Sequence, residues 1–241
     1  LLPLLRRSFP TATVEHRAEP LPACATSPSI NFQMSLSDLG LAFRCTFADF
    51  PERKSFLRAD QDKRDALRAK YLAQRPGTRL VGISWTSQKN YEIGWLKSQN
   101  LLGWAPILAT PGITFINLQY GDRKSDLENV QEQLGVDIIS DSEIDPLTDM
   151  DAFAAQVAAM DLVISVSNTT VHTAGALGIP TWILAAKGRG RLWYWFRGKE
   201  ESPWYPSARL LSQEVTGEWG PVLDRCSTEL AAWTQKKIAP S

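Results

Sequence analysis

From residue 77 onward the chain alternates between short apolar runs and longer stretches in which apolar residues recur every three or four positions. The runs Leu80 to Trp85, Ile113 to Gln119, Val136 to Ile139, Leu162 to Val166, Trp182 to Ala186 and Arg209 to Leu211 read as strands. They do not alternate with polar residues, which is the pattern of parallel strands covered on both faces. The intervening segments read as helices. One lies near Asn100 to Ala109 and one over Lys124 to Leu134; a third, capped by Asp149, sets Phe153, Val157 and Met160 on one face. A small-residue helix opens at Asn168 and ends at Gly178, and the last helix carries Trp219, Val222, Leu223, Cys226, Leu230 and Trp233 on one stripe. Strands separated by helices in this way predict a doubly wound parallel sheet with right-handed crossovers.

The first 76 residues are less regular. Leu1 to Ser8 reads as the end of a helix, Thr13 to Arg17 as a short strand, and Ser29 to Leu36 as a strand running to the turn at Ser37-Asp38. A Pro-rich loop, 18–28, separates them, and 44–58 has no clear period. The expected organisation is an incomplete α/β portion over 1–58, a linker helix over 59–76 stopped by Pro76-Gly77, and a Rossmann-like domain over 77–241. In the helix, Ala66, Leu67 and Tyr71 share a face. A layer as small as the first cannot bury its own faces. The absence of an initial Met and the half-helix at the start suggest a fragment of something longer.

The 44% hydrophobic fraction over 241 residues is enough for a substantial core. Twenty-six basic residues cancel 26 acidic ones, so no electrostatic footprint for nucleic acid or a membrane surface is present. Cys24, Cys45 and Cys226 are odd in number and far apart, which suggests reduced thiols and a cytoplasmic protein. No run reaches membrane-spanning length.

In a sheet of this kind the loops at the carboxyl ends of the strands converge on a ligand crevice. Those loops carry Ser87 and Lys89, then Gln119 and Tyr120, then Ser167-Asn168-Thr169-Thr170 with His172 one turn inside the helix, and finally Arg189 and Arg191. Hydroxyls, amides and cations beside a helix N-terminus suit a diphosphate and are poor metal ligands. Each residue also has a plainer role: Asn168 as a cap, His172 as a satisfied core histidine, the cations as solvated surface charges. The aromatic run Trp193 to Phe196 with Trp204 and Tyr205 reads most simply as a satellite core. No G-x-G-x-x-G follows the first strand, and neither a P-loop nor a G-x-S-x-G elbow occurs.

The segment Asp161 to Trp182 (DLVISVSNTTVHTAGALGIPTW), with Leu192-Trp-Tyr-Trp-Phe, Ser202-Pro-Trp-Tyr-Pro-Ser-Ala-Arg-Leu-Leu, Val81-Gly-Ile-Ser-Trp and Phe115-Ile-Asn-Leu-Gln-Tyr-Gly-Asp, resembles the C-terminal region of bacterial tetratricopeptide-repeat glycosyltransferases, relatives of the heptosyltransferases and more distantly of the O-GlcNAc transferases. The resemblance covers about residues 75 to 235, and 1–74 more loosely. It implies a GT-B arrangement of two Rossmann-like domains, with a nucleotide-diphosphate sugar as co-substrate in the C-terminal one, a protein or glycan acceptor, and no cofactor. Ser167, Asn168, Thr169, Thr170 and His172 would bind the donor diphosphate, with Lys89 as a second phosphate contact and Ser87 beside it. Gln119, Tyr120, Arg189 and Arg191 would lie near the base, ribose or sugar. His172 is a candidate catalytic residue, while the base is expected in a segment that precedes this chain. Ser167 stands where heptosyltransferase-like members often have Asp.

The expected function is sugar transfer from a nucleotide-diphosphate sugar, inverting and metal-independent. The alternatives are a catalytically inactive nucleotide-binding or scaffold domain of a larger tetratricopeptide-repeat protein, and an epimerase or hydrolase of the same fold, for which His16 and His172 alone are a sparse set.

Overall fold

The computed structural model describes residues 1–36, 38–87 and 91–236, without the side chains of Tyr91 and Glu92. Its helices are α1 (Leu2–Ser8), α2 (Ala23–Thr26), α3 (Leu39–Phe43), α4 (Gln61–Gln74), α5 (Tyr91–Lys97), α6 (Ala105–Leu108), α7 (Lys124–Leu134), α8 (Met150–Ala158), α9 (Thr169–Leu177) and α10 (Gly220–Gln235). Five strands, β1 (Arg79–Ser84), β2 (Ile113–Asn117), β3 (Leu162–Val166), β4 (Thr181–Ala185) and β5 (Ala208–Ser212), form one sheet in the order β2-β1-β3-β4-β5. Every pairing is parallel, with Gly82 opposite Val163 and Ile164 opposite Trp182.

The pleat sends successive residues to opposite faces. Val81 and Ile83 join a core with Trp85, Trp104, Phe115, Ile164 and, from α10, Leu223, Cys226 and Leu230. Leu80 joins the opposite core with Tyr71 of α4, Phe153 and Val157 of α8, and Ala174 of α9. Both faces are covered, which is why the strands read as unbroken apolar runs, and the α/β, doubly wound, Rossmann-like architecture expected for the C-terminal part is present. Gly82 lies where β1 passes under Leu118 and Met160; a Cβ there would overlap Leu118.

Several expectations are corrected. Thr13 to Arg17 and Ser29 to Leu36 form no strand: no neighbouring chain offers a ladder, and Phe32 and Leu36 stand 93% and 84% exposed. Ser37 lies outside the described residues. Val136 to Ile139 is reduced to a single bridge between Ile139 and Ile116. The helix expected near Asn100 to Ala109 is a 3-10 turn, Leu101–Trp104, running into α6, because Pro106 has no N–H to extend an α-helical ladder; Asn100 does cap it. Between the first strand and Asn100, where no helix was expected, lies α5. Helix α4 packs against the sheet through buried Tyr71, and Asp60 caps it by accepting from the Lys63 N–H. Helix α1 docks on α8, with buried Leu4 and a bidentate pair from Arg7 to Asp151 at 2.9 and 3.0 Å.

Candidate functional site

At the carboxyl end of β3 the chain turns through Ser167 and Asn168 into α9. Asn168 is a cap: its Oδ1 accepts the Thr170 N–H at 2.9 Å, satisfying one of the amides that a helix start leaves open. Its Nδ2 donates to Ser84 Oγ at 2.7 Å and to the Thr86 carbonyl at 2.9 Å. Gln119 completes the network. Its Oε1 accepts Ser84 Oγ and the Trp85 and Thr86 N–H groups, and its Nε2 reaches the Tyr120 carbonyl. The ends of β1, β2 and β3 are thereby tied together by buried, satisfied amides, the condition under which such groups are tolerated inside.

Ser167 is also occupied. Its hydroxyl accepts the Trp195 indole N–H at 2.7 Å. His172 stacks on Trp195 and lies between Tyr205, 3.0 Å from Nδ1, and Tyr194, 3.2 Å from Nε2. Burial, then the positive charge of Lys97, pushes its pKa down from 6.5 to about 4, so the ring is neutral near pH 7. Thr170 is buried, whereas Thr169 is the exposed residue of the turn.

Lys97, the last residue of α5, closes the turn from the other side. It is 7% exposed, and its Nζ donates to the Ser167 carbonyl at 2.9 Å. Among the described residues no carboxylate pairs with it, and burial holds its pKa below the usual lysine value. Thr86, whose carbonyl accepts from Asn168, is buried with its Oγ1 unpartnered. The charge of Lys97 adds to the partial positive charge at the N-terminus of α9, so the turn is electropositive.

The other candidates are distributed as follows. Ser87 is buried, its N–H donating to the Oγ of Ser98, the residue after α5. Lys89 lies outside the described residues. Gln119 and Tyr120 line a polar pocket of about 320 Å³ with Asp122, Asp141, Asp145 and Gln156. Arg189 is exposed on the 3-10 turn Gly188–Gly190. Arg191 is half-buried, its guanidinium donating to the Trp195 and Phe196 carbonyls and to Ser212 Oγ. The aromatic run is the satellite core expected, with Trp195 packed on Val171, Ile183 and Leu210, although Trp193 is 75% exposed. Sequence reasoning passed over Lys97. The available signal was Ile93, Leu96 and Lys97 within a short helix stopped just before the Asn100 cap.

No family model matches the chain. It is 36% identical to Protein FlbA of Caulobacter vibrioides over 241 residues, covering 95% of this chain and 39% of FlbA. The chain thus spans well under half the length of that relative. Among solved structures it is similar to the ADP-heptose LPS heptosyltransferase II of E. coli, with a TM-score of 0.50 and 15% identity over 79% of this chain and 57% of that one. It is also similar to a glycosyl transferase family 9 protein from Veillonella parvula, at TM-score 0.47 and 16% identity over 74% and 51% of the two chains. At such identities the likeness to the heptosyltransferase is one of fold, and it agrees with the α/β, GT-B-type architecture expected from the sequence.

Proposed function

We propose that this chain is the donor-binding part of a nucleotide-sugar-dependent glycosyltransferase. The observation that carries the reading is Lys97, a buried ammonium without a carboxylate partner among the described residues, set against the Ser167 carbonyl at the N-terminus of α9. A nucleotide diphosphate seated there would offset that charge and occupy the open amides of the helix start, with Thr169 facing it. During transfer, negative charge grows on the departing diphosphate, and Lys97 with the α9 amides would stabilise it without moving. The acceptor hydroxyl, on a glycan or a protein, would attack the opposite face of the anomeric carbon, giving inversion. We assign His172 a positioning role, because a ring held neutral between two tyrosines is a weak proton acceptor near pH 7, and the base then comes from the acceptor side. The 320 Å³ pocket beside Tyr120 would receive the base or ribose. The shared fold with an enzyme whose name specifies ADP-heptose supports a nucleotide-sugar donor.

The inactive-scaffold reading is favoured by one observation, the internal engagement of Asn168, Gln119 and His172. A thermal-shift screen of ADP, UDP, GDP and CDP with their sugars separates the two. A ligand at a hundred times its Kd stabilises by about 2.7 kcal/mol. A chain whose melting temperature none of them raises is not a donor-binding domain.

A further inference from the structure

The loops after β4 and β5 enclose a second pocket, of about 510 Å³, lined by Lys187, Arg191, Arg197, Lys199, Glu200 and Gln213. Among the described residues none of its four cations forms an ion pair with a carboxylate. Glu200 is committed elsewhere, to Arg209 at 3.1 Å and Arg225 at 2.8 Å. Arg191 donates to carbonyls and a hydroxyl, and Lys187 Nζ to the Glu214 carbonyl. Lys199 Nζ sits 4.7 Å from the centre of the Phe47 ring. Arg197 makes no hydrogen bond or ion pair among the described residues, and its charge, after burial, helps lower the pKa of Arg191.

Gln213 adds a second, independent observation. It is 4% exposed, and its Oε1 accepts the Lys187 N–H at 3.0 Å and the Gly217 N–H at 3.4 Å, which fixes the orientation of the amide. Its Nε2 is left without an acceptor. A buried donor without a partner is costly, and cations drawn together without counter-charge repel. An acceptor atom carrying negative charge relieves both.

We propose that this pocket binds an oxyanion, a phosphoryl or carboxylate group, at a site separate from the α9 turn. The inference does not rest on the donor reading. An anionic group on either substrate, or a free anion, would satisfy the same residues.

The test titrates the whole chain with inorganic phosphate and, separately, with acetate, at ionic strength held constant with sodium chloride, by calorimetry and thermal shift. Saturable binding of one of them is expected; phosphate alone would indicate a phosphoryl group and acetate alone a carboxylate. Arg197→Gln, at an exposed position, should weaken it by roughly tenfold or more, the size of one charge-assisted contact. Gln213→Glu keeps the acceptors for Lys187 and Gly217 and should abolish binding by placing a carboxylate in the pocket. Lys97→Met should leave it unchanged while weakening nucleotide binding, so the two sites can fail independently. Absence of saturable binding by either anion, or binding that survives Arg197→Gln, overturns the proposal.

Discussion

Replacing Lys97 by Met should make the protein more stable and weaken its binding of nucleotide. The ammonium is almost completely buried, and desolvation alone accounts for the lowering of its pKa. Burying a charge costs several kcal/mol after relaxation, and the hydrogen bond to the Ser167 carbonyl returns about 1.5–3 kcal/mol. Met fills nearly the same volume without the charge. It leaves that carbonyl unpaired, at about 1 kcal/mol, so the net gain is on the order of 1 kcal/mol. For a chain of this size that raises the melting temperature by about 2–4 °C. Losing a charge-assisted contact to a diphosphate should weaken nucleotide binding by roughly a hundredfold. Urea denaturation and calorimetric titration on the same preparation measure both. A variant that is less stable than the parent, yet binds nucleotide equally well, would show that the lysine props up the turn and faces no ligand.

Three further outcomes follow from the same structure. His172 has a folded pKa of about 4 against 6.5, so between those values the unfolded chain binds a proton that the folded one does not; stability should fall by up to about 3 kcal/mol as pH drops through that window, and His172→Gln should remove this part of the pH dependence in urea titrations at successive pH values. Gly175→Ala would drive a Cβ into the Tyr205 ring and should cost about 1–3 kcal/mol by urea denaturation, whereas Gly103→Ala, with nothing within 4 Å, should stay within about 0.5 kcal/mol of the parent. Thr86→Val removes a buried hydroxyl that has no partner and should leave stability unchanged or raise it by up to about 1 kcal/mol; a loss of more than that would mean the hydroxyl is satisfied after all.

The parts of the fold legible in the sequence are those whose burial is continuous along the chain. Residues 80 to 84 and 162 to 166 are buried throughout, so their apolar runs carry the strand assignment without help from partners. The β3-α9-β4 crossover was legible for the same reason, together with Asn168 as cap and Gly178, at φ +76°, as the left-handed stop. Segments that depend on distant chain were not. Helix α5 is seven residues long and contains Gly94, too short and weak to hold by propensity; it is fixed by the 188–190 turn, where a Cβ on Gly190 would meet Leu96. The alternation over 29–36 resembles a strand, yet a strand exists only when another chain segment accepts its hydrogen bonds.

The same dependence on partners explains why the site was only half legible. The residue types that point to chemistry in a sequence, Asn, Gln, Ser and His, carry both donors and acceptors and can satisfy one another. Here Asn168, Ser84 and Gln119 do so, and Ser167 and His172 close against Trp195, Tyr194 and Tyr205. Once satisfied internally, such a group gains little from a ligand, because any new bond replaces one already made. Ligand contacts are therefore to be sought among buried groups left with capacity to spare. Lysine has donors and no acceptor, so a carbonyl alone cannot exhaust Lys97, and its charge calls for an anion that no described side chain supplies. The ligand-facing role proposed for it thus rests on the difference between what it offers and what its neighbours take, which exists only after the turn 70 residues away in the chain has been folded against it.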